Sequence, residues 1–233
     1  MRLNVFLAQN GIGSRRKAFD LVKSGLVAVN GKIVREPSFA IEFNQDRVEV
    51  EGKPVETKSY EYIILNKPSG FVTTRADVHA NQTVFDLLPP HFQHLVPVGR
   101  LDQNTEGLLL FTNDGDFVFR LTHPKCKVDK TYFVRVQGEM LSETKQRIEK
   151  GVRLRGWKTA PARVKNLKAR GKMSEFYLTI HEGRKRQIRV VMSKLGHKVI
   201  FLKRVAQGPV LLGNLKSGKW RRLTKTEVGK LKT

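Results

Sequence analysis

Short apolar runs of strand length dominate this chain after residue 59, and they constrain its fold more than any other feature. Several runs follow one another without an intervening helical pattern, which favours an antiparallel or mixed sheet over a regularly doubly wound one. We therefore predict an α+β fold with a mixed, mainly antiparallel sheet flanked by helices. The predicted strands are 62–65, 71–74, 108–112, 131–136, 162–167, 176–180, 199–202 and 210–212. The predicted helices are 116–121, 142–149, 186–195 and 224–231.

The first quarter of the chain has a different pattern, with two short helices followed by hairpin strands. Ser14 is a typical N-cap for the second helix, and Asn30-Gly31 predicts a tight hairpin turn. Because the segment from about 54 to 59 is polar, we expect it to link two domains. The prediction is a small helix and hairpin domain over residues 1–58 and a larger domain over residues 59–233.

A large positive charge limits the partners of this chain. The 233 residues carry a net charge of +23. Residues 1–58 hold 10 basic and 7 acidic residues, whereas residues 59–233 hold 34 and 14. Such a one-sided field favours a polyanion and makes binding salt-dependent. The composition therefore predicts a nucleic-acid-binding protein.

Several other classes of protein fit the sequence poorly. No apolar run approaches the ~20 residues of a membrane-spanning helix, and the N-terminus has no apolar signal segment. Cys126 stands alone, which excludes a disulfide framework or a cysteine zinc cluster. Motifs of zinc deaminases, metalloproteases and P-loop enzymes are also missing from the sequence. We expect a protein of the cytoplasm.

One carboxylate precedes the apolar run at 108–112. Asp102 lies two residues after Arg100 in the segment G-R-L-D-Q-N-T-E-G-L-L-L, and Gly99 and Gly107 predict a tight loop around it. A carboxylate held beside an arginine and braced by a core strand can stay ionised and act as a nucleophile. An aspartate that only closes a turn fits the same residues.

Cationic residues crowd the start of the helix predicted at 186–195. Four of the eight residues in E-G-R-K-R-Q-I-R are basic, although a helix dipole disfavours cations at that end. A carboxylate such as Asp102, or an RNA phosphate, would compensate these charges. A solvated helix start is the alternative.

Tyr132 opens another predicted strand, after Lys130 and Thr131. Because tyrosine favours half-buried strand positions, packing alone accounts for it. In a site that handles a base, its ring would stack and its hydroxyl would act as an acid, a base or a hydrogen-bond group.

Basic residues also gather near the N-terminus, where cations beside the amides at a helix start suit a phosphate. This region resembles the small S-four-type RNA-binding domain. The resemblance is carried by Arg2-Leu3, S-R-R-K-A at 14–18 and V-N-G-K at 29–32. It implies RNA contacts from Arg2, Ser14, Arg15, Arg16, Lys17, Asn30 and Lys32.

Three further motifs follow in order: L-N-K-P-x-G at 65–70, G-R-L-D-x-x-T-x-G-L-L-L-x-T-x-D-G at 99–115, and K-T-Y at 130–132 with E-G-R-x-R-Q-I-R at 182–189. Over essentially the whole chain this order resembles the RsuA/RluB-type ribosomal RNA pseudouridine synthase family, closer to its RluB-like large-subunit branch. The resemblance implies that one uridine of ribosomal RNA, most simply of 23S rRNA, is isomerised to pseudouridine. It implies no cofactor and no metal.

The resemblance also assigns residue roles. The family's catalytic aspartate corresponds to Asp102, its active-site tyrosine to Tyr132, the basic residue beside the aspartate to Arg184, and an apolar residue near the ring to Ile188. The RNA contacts implied for this region are Lys67, Arg100, Lys130, Arg186, Gln187 and Arg189. Asp102 would detach uracil from its sugar either by attack on the sugar or through elimination to a glycal, and both routes stay open.

The target base must also leave its stack, which costs free energy. Stacking on Tyr132 and insertion of Arg100 would offset part of that cost. One departure is that Val190-Val191-Met192 follows Arg189, where the family commonly has two basic residues and a methionine, which predicts the loss of an RNA contact.

The expected partner is ribosomal RNA, either free or in an assembly intermediate, and we expect a monomer that does not bind membranes. Two alternatives remain open from the sequence. One is a small-subunit 16S rRNA target, and the other is a non-catalytic rRNA-binding or ribosome-assembly protein.

Overall fold

The computed structural model describes residues 1–42, 45–75 and 82–232. The chain forms two compact units. The first comprises Met1–Glu61, Pro90–Val96 and Thr112–Gly115, and the second comprises Tyr62–Pro89, Pro97–Phe111 and Asp116–Thr233. Within the described ranges, every helix is too short to cross a bilayer.

The first unit is built from helices α1 and α2 and a small sheet. Its elements are α1 (Leu3–Gln9), α2 (Arg15–Lys23), β1 (Val27–Val29), β2 (Lys32–Ile33), β3 (Val48–Val50) and β4 (Lys53–Pro54). The strands pair in the order β2-β1-β3-β4. Leu3, Leu7 and Val22 are completely buried in the core that the helices form with this sheet.

Two local predictions in this unit are confirmed. The Ser14 hydroxyl accepts a hydrogen bond from the Lys17 backbone N–H at 3.2 Å, and α2 begins at the next residue after Ser14. Asn30 and Gly31 both have positive φ angles, 51° and 77°, as a two-residue hairpin turn requires. The preferences of the residues themselves predict both features, and bonds from Asn30 to Asp46 and Arg47 add support to the turn.

The chain continues after β4 with longer strands and further helices. In sequence order they are β5 (Tyr62–Lys67), β6 (Val96–Pro97), β7 (Glu106–Thr112), α3 (Gly115–Thr122), β8 (Lys130–Gln137), α4 (Ser142–Lys150), β9 (Arg153–Leu154), β10 (Trp157–Lys158), β11 (Arg163–Arg170), β12 (Met173–Ile180), α5 (Gln187–Lys194), β13 (Val199–Gln207), β14 (Val210–Leu211), β15 (Trp220–Arg222) and α6 (Lys225–Lys232). Short 3-10 turns lie at Val84–Leu87, Pro90–Phe92 and Pro124–Cys126.

A nine-stranded sheet organises the second unit. Its main path is β11-β12-β8-β13-β7-β5-β15, with β14 on β13 and β6 on β7. The strands from β11 to β13 pair antiparallel, whereas β13 pairs parallel with β7. The predicted α+β class with a mixed, mainly antiparallel sheet is therefore confirmed. Strands β9 and β10 form a separate hairpin.

Burial alternates along β12, as expected for a strand with one covered face. Ser174, Phe176, Leu178 and Ile180 are buried, and the residues between them reach solvent. Helix α4 packs on β11 and α5 on β13. This part of the sheet thus has one covered face and one face open to solvent.

Two sequence predictions about this unit are wrong. Residues 71–74 form a single bridge, from Val72 to Thr83, and no strand, because Thr73 exchanges hydrogen bonds with the Leu101 backbone instead. Gly107 does not close the Asp102 loop but lies inside β7. A Cβ on Gly107 would meet the Arg204 carbonyl oxygen at 2.2 Å, so the close approach of β13 explains the glycine.

Candidate active site

A pocket of about 530 Å³ opens in the second unit between the Asp102 loop, residues 99–105, and the turn that leads into α5. Tyr132, Ile180 and Leu202, from three neighbouring strands, contribute apolar surface to it. The four residues predicted as catalytic all line this pocket: Asp102, Tyr132, Arg184 and Ile188. Residues from distant parts of the sequence are thereby brought together, as the motif order predicts.

Lys67, at the end of β5, attaches the Asp102 loop to the sheet through hydrogen bonds from its ammonium group. Its side chain is completely buried. Its Nζ donates to the carbonyl oxygens of Pro68 (3.1 Å), Asp102 (3.2 Å), Gln103 (2.9 Å) and Thr105 (2.9 Å). The predicted RNA contact of Lys67 is therefore wrong, because its ammonium is enclosed and occupied by backbone oxygens.

The charge of Lys67 is perturbed by this enclosure. Burial lowers the pKa of Lys67 to about 8, while the carboxylates of Glu106 and Asp102 act in the opposite direction. A buried ammonium with several carbonyl acceptors has its donors satisfied, which limits the cost of removing it from water. Lys67 thus stabilises the loop that carries Asp102 and is not itself at the surface.

The segment 70–73 forms further hydrogen bonds with the same loop. The Thr73 hydroxyl donates to the Leu101 carbonyl at 2.9 Å, and the Leu101 N–H donates to that hydroxyl at 3.3 Å. The Gly70 N–H donates to the Gln103 carbonyl oxygen at 3.0 Å, and the Gln103 side-chain amide donates to the Gly70 carbonyl oxygen at 3.1 Å. Asp102 itself is half-buried between these attachments.

The turn into α5 is shaped by Gln187. Its side-chain nitrogen donates to Glu182, and its oxygen accepts the Arg184 backbone N–H at 3.1 Å. Gln187 is only 5% exposed. Both ends of its amide are used inside the protein, and its predicted RNA contact stays a prediction because Gln187 also lines the pocket. Arg186, the next residue upstream, has a positive φ of 53°.

Arg184 lies on the rim of the pocket and is exposed. Its guanidinium carbon stands 4.5 Å from the ring centre of Trp157 in β10, a distance typical of a cation–π contact. Within the described ranges, no ion pair joins Arg184 to Asp102. The expected charge balance of Asp102 by Arg184 is not present in this conformation.

Arg189, like Lys67, is a cation that interacts electrostatically with Asp102. Its guanidinium donates to the carbonyl of Asn104 at 2.7 Å and of Val199 at 3.3 Å. Burial lowers the pKa of Arg189, the Arg186 charge lowers it further, and the Asp102 carboxylate raises it. Arg189 therefore ties α5 to the Asp102 loop, a role that its position in the sequence did not indicate.

The other residues predicted to contact RNA in this unit differ in accessibility. Arg100 and Arg186 are exposed and line the pocket. Lys130 is half-buried, and its Nζ donates to the Val128 carbonyl at 3.1 Å. Burial lowers the pKa of Lys130, with the Arg204 charge as the second cause.

The predicted RNA contacts of the first unit share an exposed position. They are Arg2, Ser14, Arg15, Arg16, Lys17, Asn30 and Lys32. Asn30 also has an internal role, since its side chain donates to Asp46 at 2.7 Å and accepts the Arg47 N–H at 2.9 Å. Within the described ranges, no group of three His, Cys, Asp or Glu side chains is arranged to hold a metal ion.

Comparisons with known proteins agree with the geometry. A family model described as RNA pseudouridylate synthase matches residues 61–194, and one of the S4 domain matches residues 1–46. The chain is 42% identical to ribosomal large subunit pseudouridine synthase B of Bacillus subtilis, covering 99% of this chain and 95% of that protein. It is 35% identical to ribosomal small subunit pseudouridine synthase A of Vibrio cholerae, covering 99% of each. A crystal structure of a pseudouridylate synthase superposes with a TM-score of 0.70 at 32% identity, covering 99% of both chains.

Proposed function

This chain belongs to the RNA pseudouridylate synthase family, and on that premise we propose that it isomerises one specific uridine of ribosomal RNA, with Asp102 as the nucleophile. The observation that carries the proposal is the half-buried Asp102, which lines a pocket of about 530 Å³ together with Tyr132 and Ile188. The attachments of Lys67 and Thr73 hold its loop in place. A carboxylate held in this way is positioned for a substrate before the substrate arrives.

The reaction needs no atoms beyond those of the uridine. The bond between N1 of the base and C1′ of the sugar breaks, the base turns, and a bond forms between C5 and C1′. C5 then loses its proton to solvent or to a side chain, and N1, whose bond to the sugar has broken, takes up a proton, so product and substrate have the same atoms. Asp102 starts this sequence either by attack on the sugar or by elimination to a glycal.

Tyr132 and Ile188 are proposed to hold the detached base. Their side chains are 8% and 6% exposed and line the pocket, so one aromatic ring and one aliphatic group are available for a flipped base. Arg100 is exposed on the same rim, and we assign it to the space that the flipped base leaves in the RNA.

Two arginines are proposed to stabilise the negative charge of the Asp102 carboxylate. Arg189 supports this role by its attachment to Asn104, two residues from Asp102, at 2.7 Å. Arg184 is assigned to an RNA phosphate or to Asp102 itself once RNA displaces it from Trp157. A cation near a carboxylate favours its ionised form.

The target is proposed to lie in 23S rRNA of the large subunit. Support comes from the 42% identity with the large-subunit enzyme of Bacillus subtilis, against 35% with the small-subunit enzyme of Vibrio cholerae. Uridine and pseudouridine have the same mass, so the rRNA is first treated with a reagent that labels pseudouridine alone. Mass spectrometry of rRNA from a strain lacking this gene should then show one uridine in 23S rRNA where wild-type cells carry pseudouridine. A missing pseudouridine in 16S rRNA would assign the small subunit instead.

The exposed cations of the first unit, Arg15, Arg16, Lys17 and Lys32, are proposed to bind the same rRNA. We further propose that the protein acts as a cytoplasmic monomer on free rRNA or an assembly intermediate. Residues 59–233 are predicted to fold without residues 1–58 and to bind rRNA more weakly. Loss of the circular dichroism signal in that fragment would contradict this division.

The test of the nucleophile is Asp102→Asn. Removing the charge should abolish tritium release from rRNA labelled at C5 of uridine, while rRNA affinity stays near that of the wild type. The matched control is Glu139→Gln, an exposed carboxylate outside the pocket lining, which should keep full activity. Wild-type turnover by Asp102→Asn would remove Asp102 from this role.

A further inference from the structure

The sheet that carries the active-site pocket has a second face. Helices α3 and α6 cover this face at β7, whereas along β11, β12, β8 and β13 its residues reach solvent. Successive residues of a strand point to opposite faces. Tyr132, Leu178 and Ile180 are buried on the pocket side, whereas Phe133 and Tyr177 belong to the open side. Tyr177 is 38% exposed, which is a large exposed fraction for an aromatic ring in the middle of a sheet.

Four residues of the open face form one row across four strands. Lys165 of β11 pairs with Tyr177 of β12, Tyr177 pairs with Phe133 of β8, and Phe133 pairs with Lys203 of β13. Two aromatic rings therefore lie between two lysines. Three strand spacings separate the lysine backbones, about 14 Å in all.

The rings of this row belong to a larger aromatic group. The Phe133 ring centre lies 5.4 Å from that of Tyr177 and 6.0 Å from that of Phe201. The rings are inclined at 59° and 63° to each other, so they do not cover one another face to face. The Arg135 guanidinium carbon stands 5.8 Å from the ring centre of Phe201, so Tyr177 presents the most accessible ring to a planar ligand.

A β-bulge adds cations to the same face. The register of β11 shifts between Lys165 and Lys168, where Asn166 has a positive φ of 52°. Without the shift, residues three apart would point to opposite faces, but the bulge places Lys168 opposite Glu175 and on the same face as Lys165. Both lysines are exposed.

Two acidic residues at this face are paired with arginines, and a third, Glu106 of β7, is the register neighbour of Lys203. Glu175 accepts from Arg135 at 2.6 Å, and Asp129 is bound by Arg163. Within the described ranges, no ion pair engages Lys165, Lys168 or Lys203. The open face thus combines stacking surface with lysines that form no ion pair among the described residues.

We propose that this open face, defined by Lys165, Lys168, Tyr177, Phe133, Phe201 and Lys203, is a second RNA-binding surface that takes an unpaired strand of RNA. Bases stack on aromatic rings presented by a sheet, and lysines bind the phosphates between them. The surface faces away from the catalytic pocket, so its occupant is a segment other than the target uridine. A duplex hides its bases and would leave the rings unused.

The test uses the full-length protein and an unstructured 12-nucleotide RNA carrying 4-thiouridine. Ultraviolet crosslinking and peptide mass spectrometry should locate crosslinks on Phe133, Tyr177 or Phe201. Tyr177→Ser should weaken binding of this RNA about tenfold, whereas Tyr177→Phe should restore it. Thermal unfolding monitored by circular dichroism establishes that each variant is folded.

A second pair of variants separates phosphate contacts from stacking. The double change Lys165→Gln and Lys168→Gln should lower the slope of binding against salt concentration by about 1.4. Crosslinks confined to the first unit or the pocket would overturn the proposal, as would unchanged RNA affinity in Tyr177→Ser. The same unchanged affinity, together with lost binding of a ribosomal protein, would assign the face to a protein partner and reject RNA.

The outcome is independent of the catalytic assignment. None of the six residues lines the pocket, so tritium release from a short stem-loop containing the target uridine should be unchanged in these variants. Asp102→Asn should keep the crosslinks to the open face. An inactive Asp102→Asn with intact crosslinks and an active Tyr177→Ser without them would show two separate sites.

Discussion

The two sides of the pocket hold their cations in opposite ways. On one side Lys67 is completely buried, and its ammonium is shared among four backbone carbonyls around Asp102. On the other side Arg184 is exposed, and its guanidinium lies over the ring of Trp157. Within the described ranges it forms no ion pair. Both residues come from motifs that suggest RNA contacts. The difference teaches that burial, and not charge, decides whether a cation is bonded within the fold or stays accessible at the pocket.

The largest effect is expected for Lys67→Met, which leaves an unbranched side chain one atom shorter and removes its donors. The carbonyls around Asp102 would lose their partner inside the protein, which should lower the free energy of unfolding by about 3 kcal/mol. Tritium release should fall by more than about a hundredfold, because a displaced carboxylate loses its alignment. Urea unfolding and the release assay measure the two effects.

The control for this change is Lys127→Met, an exposed lysine. It should alter the free energy of unfolding by less than about 0.5 kcal/mol. If Lys67→Met is as stable and as active as this control, the hydrogen bonds from Lys67 to the Asp102 loop contribute neither to stability nor to catalysis.

A smaller effect should appear in the pH dependence of stability. Because burial lowers the pKa of Lys67 from 10.5 to about 8, the unfolded chain binds more protons than the folded one between these values. Stability should therefore rise with pH in this window relative to Lys67→Met, by at most about 3 kcal/mol. Parallel stability curves for the two proteins between pH 7 and 10 would contradict the lowered pKa.

The exposed side of the pocket should show the reverse balance of effects. Arg184→Ala is expected to reduce kcat/KM between about tenfold and a hundredfold, the effect of a lost charged hydrogen bond. Its free energy of unfolding should change by less than about 0.5 kcal/mol. Arg147→Ala, an exposed arginine on α4, is the control for lost surface charge. A large loss of stability in Arg184→Ala would remove the contrast with Lys67.

The smallest effect is expected for Trp157→Phe, which weakens the contact with Arg184 by about 0.5 kcal/mol. The chain has two tryptophans, so Trp220→Phe leaves Trp157 as the sole tryptophan fluorophore. If RNA draws Arg184 away from the indole, the emission of Trp157 should change as rRNA is added. An emission that is constant at saturating RNA would mean that Arg184 stays on Trp157.

Much of the fold follows from local patterns in the sequence. The start of α2 at Ser14 and the turn at Asn30-Gly31 are predicted by residue preferences within a few positions. Most strands follow from apolar runs, and β8 and β13 extend past their predicted ends because pairing continues there. The strand predicted at 71–74 does not form because Thr73 bonds to Leu101, 28 residues away.

The candidate site was less predictable than the fold. The motif order predicted that Asp102, Tyr132 and the turn at Gly183 belong to one site, and they line one pocket. The roles of these residues remain predictions. Lys67 was wrongly predicted as an RNA contact because its partners are backbone oxygens that a linear pattern does not reveal. The internal hydrogen bonds of Gln187 were equally unpredictable from the sequence. The sequence gives no indication that Trp157 contacts Arg184, since this contact depends on the position of the β9–β10 hairpin.

The sequence by itself determined the class of fold, the polyanionic partner and the motif order that indicates the family, because these depend on composition, periodicity and residue identity. The tertiary structure decided which cations are enclosed and which reach solvent. It also decided which face of the sheet stays open, and the bulge between Lys165 and Lys168 sets the cations on that face. Burial depends on contacts between residues far apart in the chain, and the sequence pattern alone does not contain them.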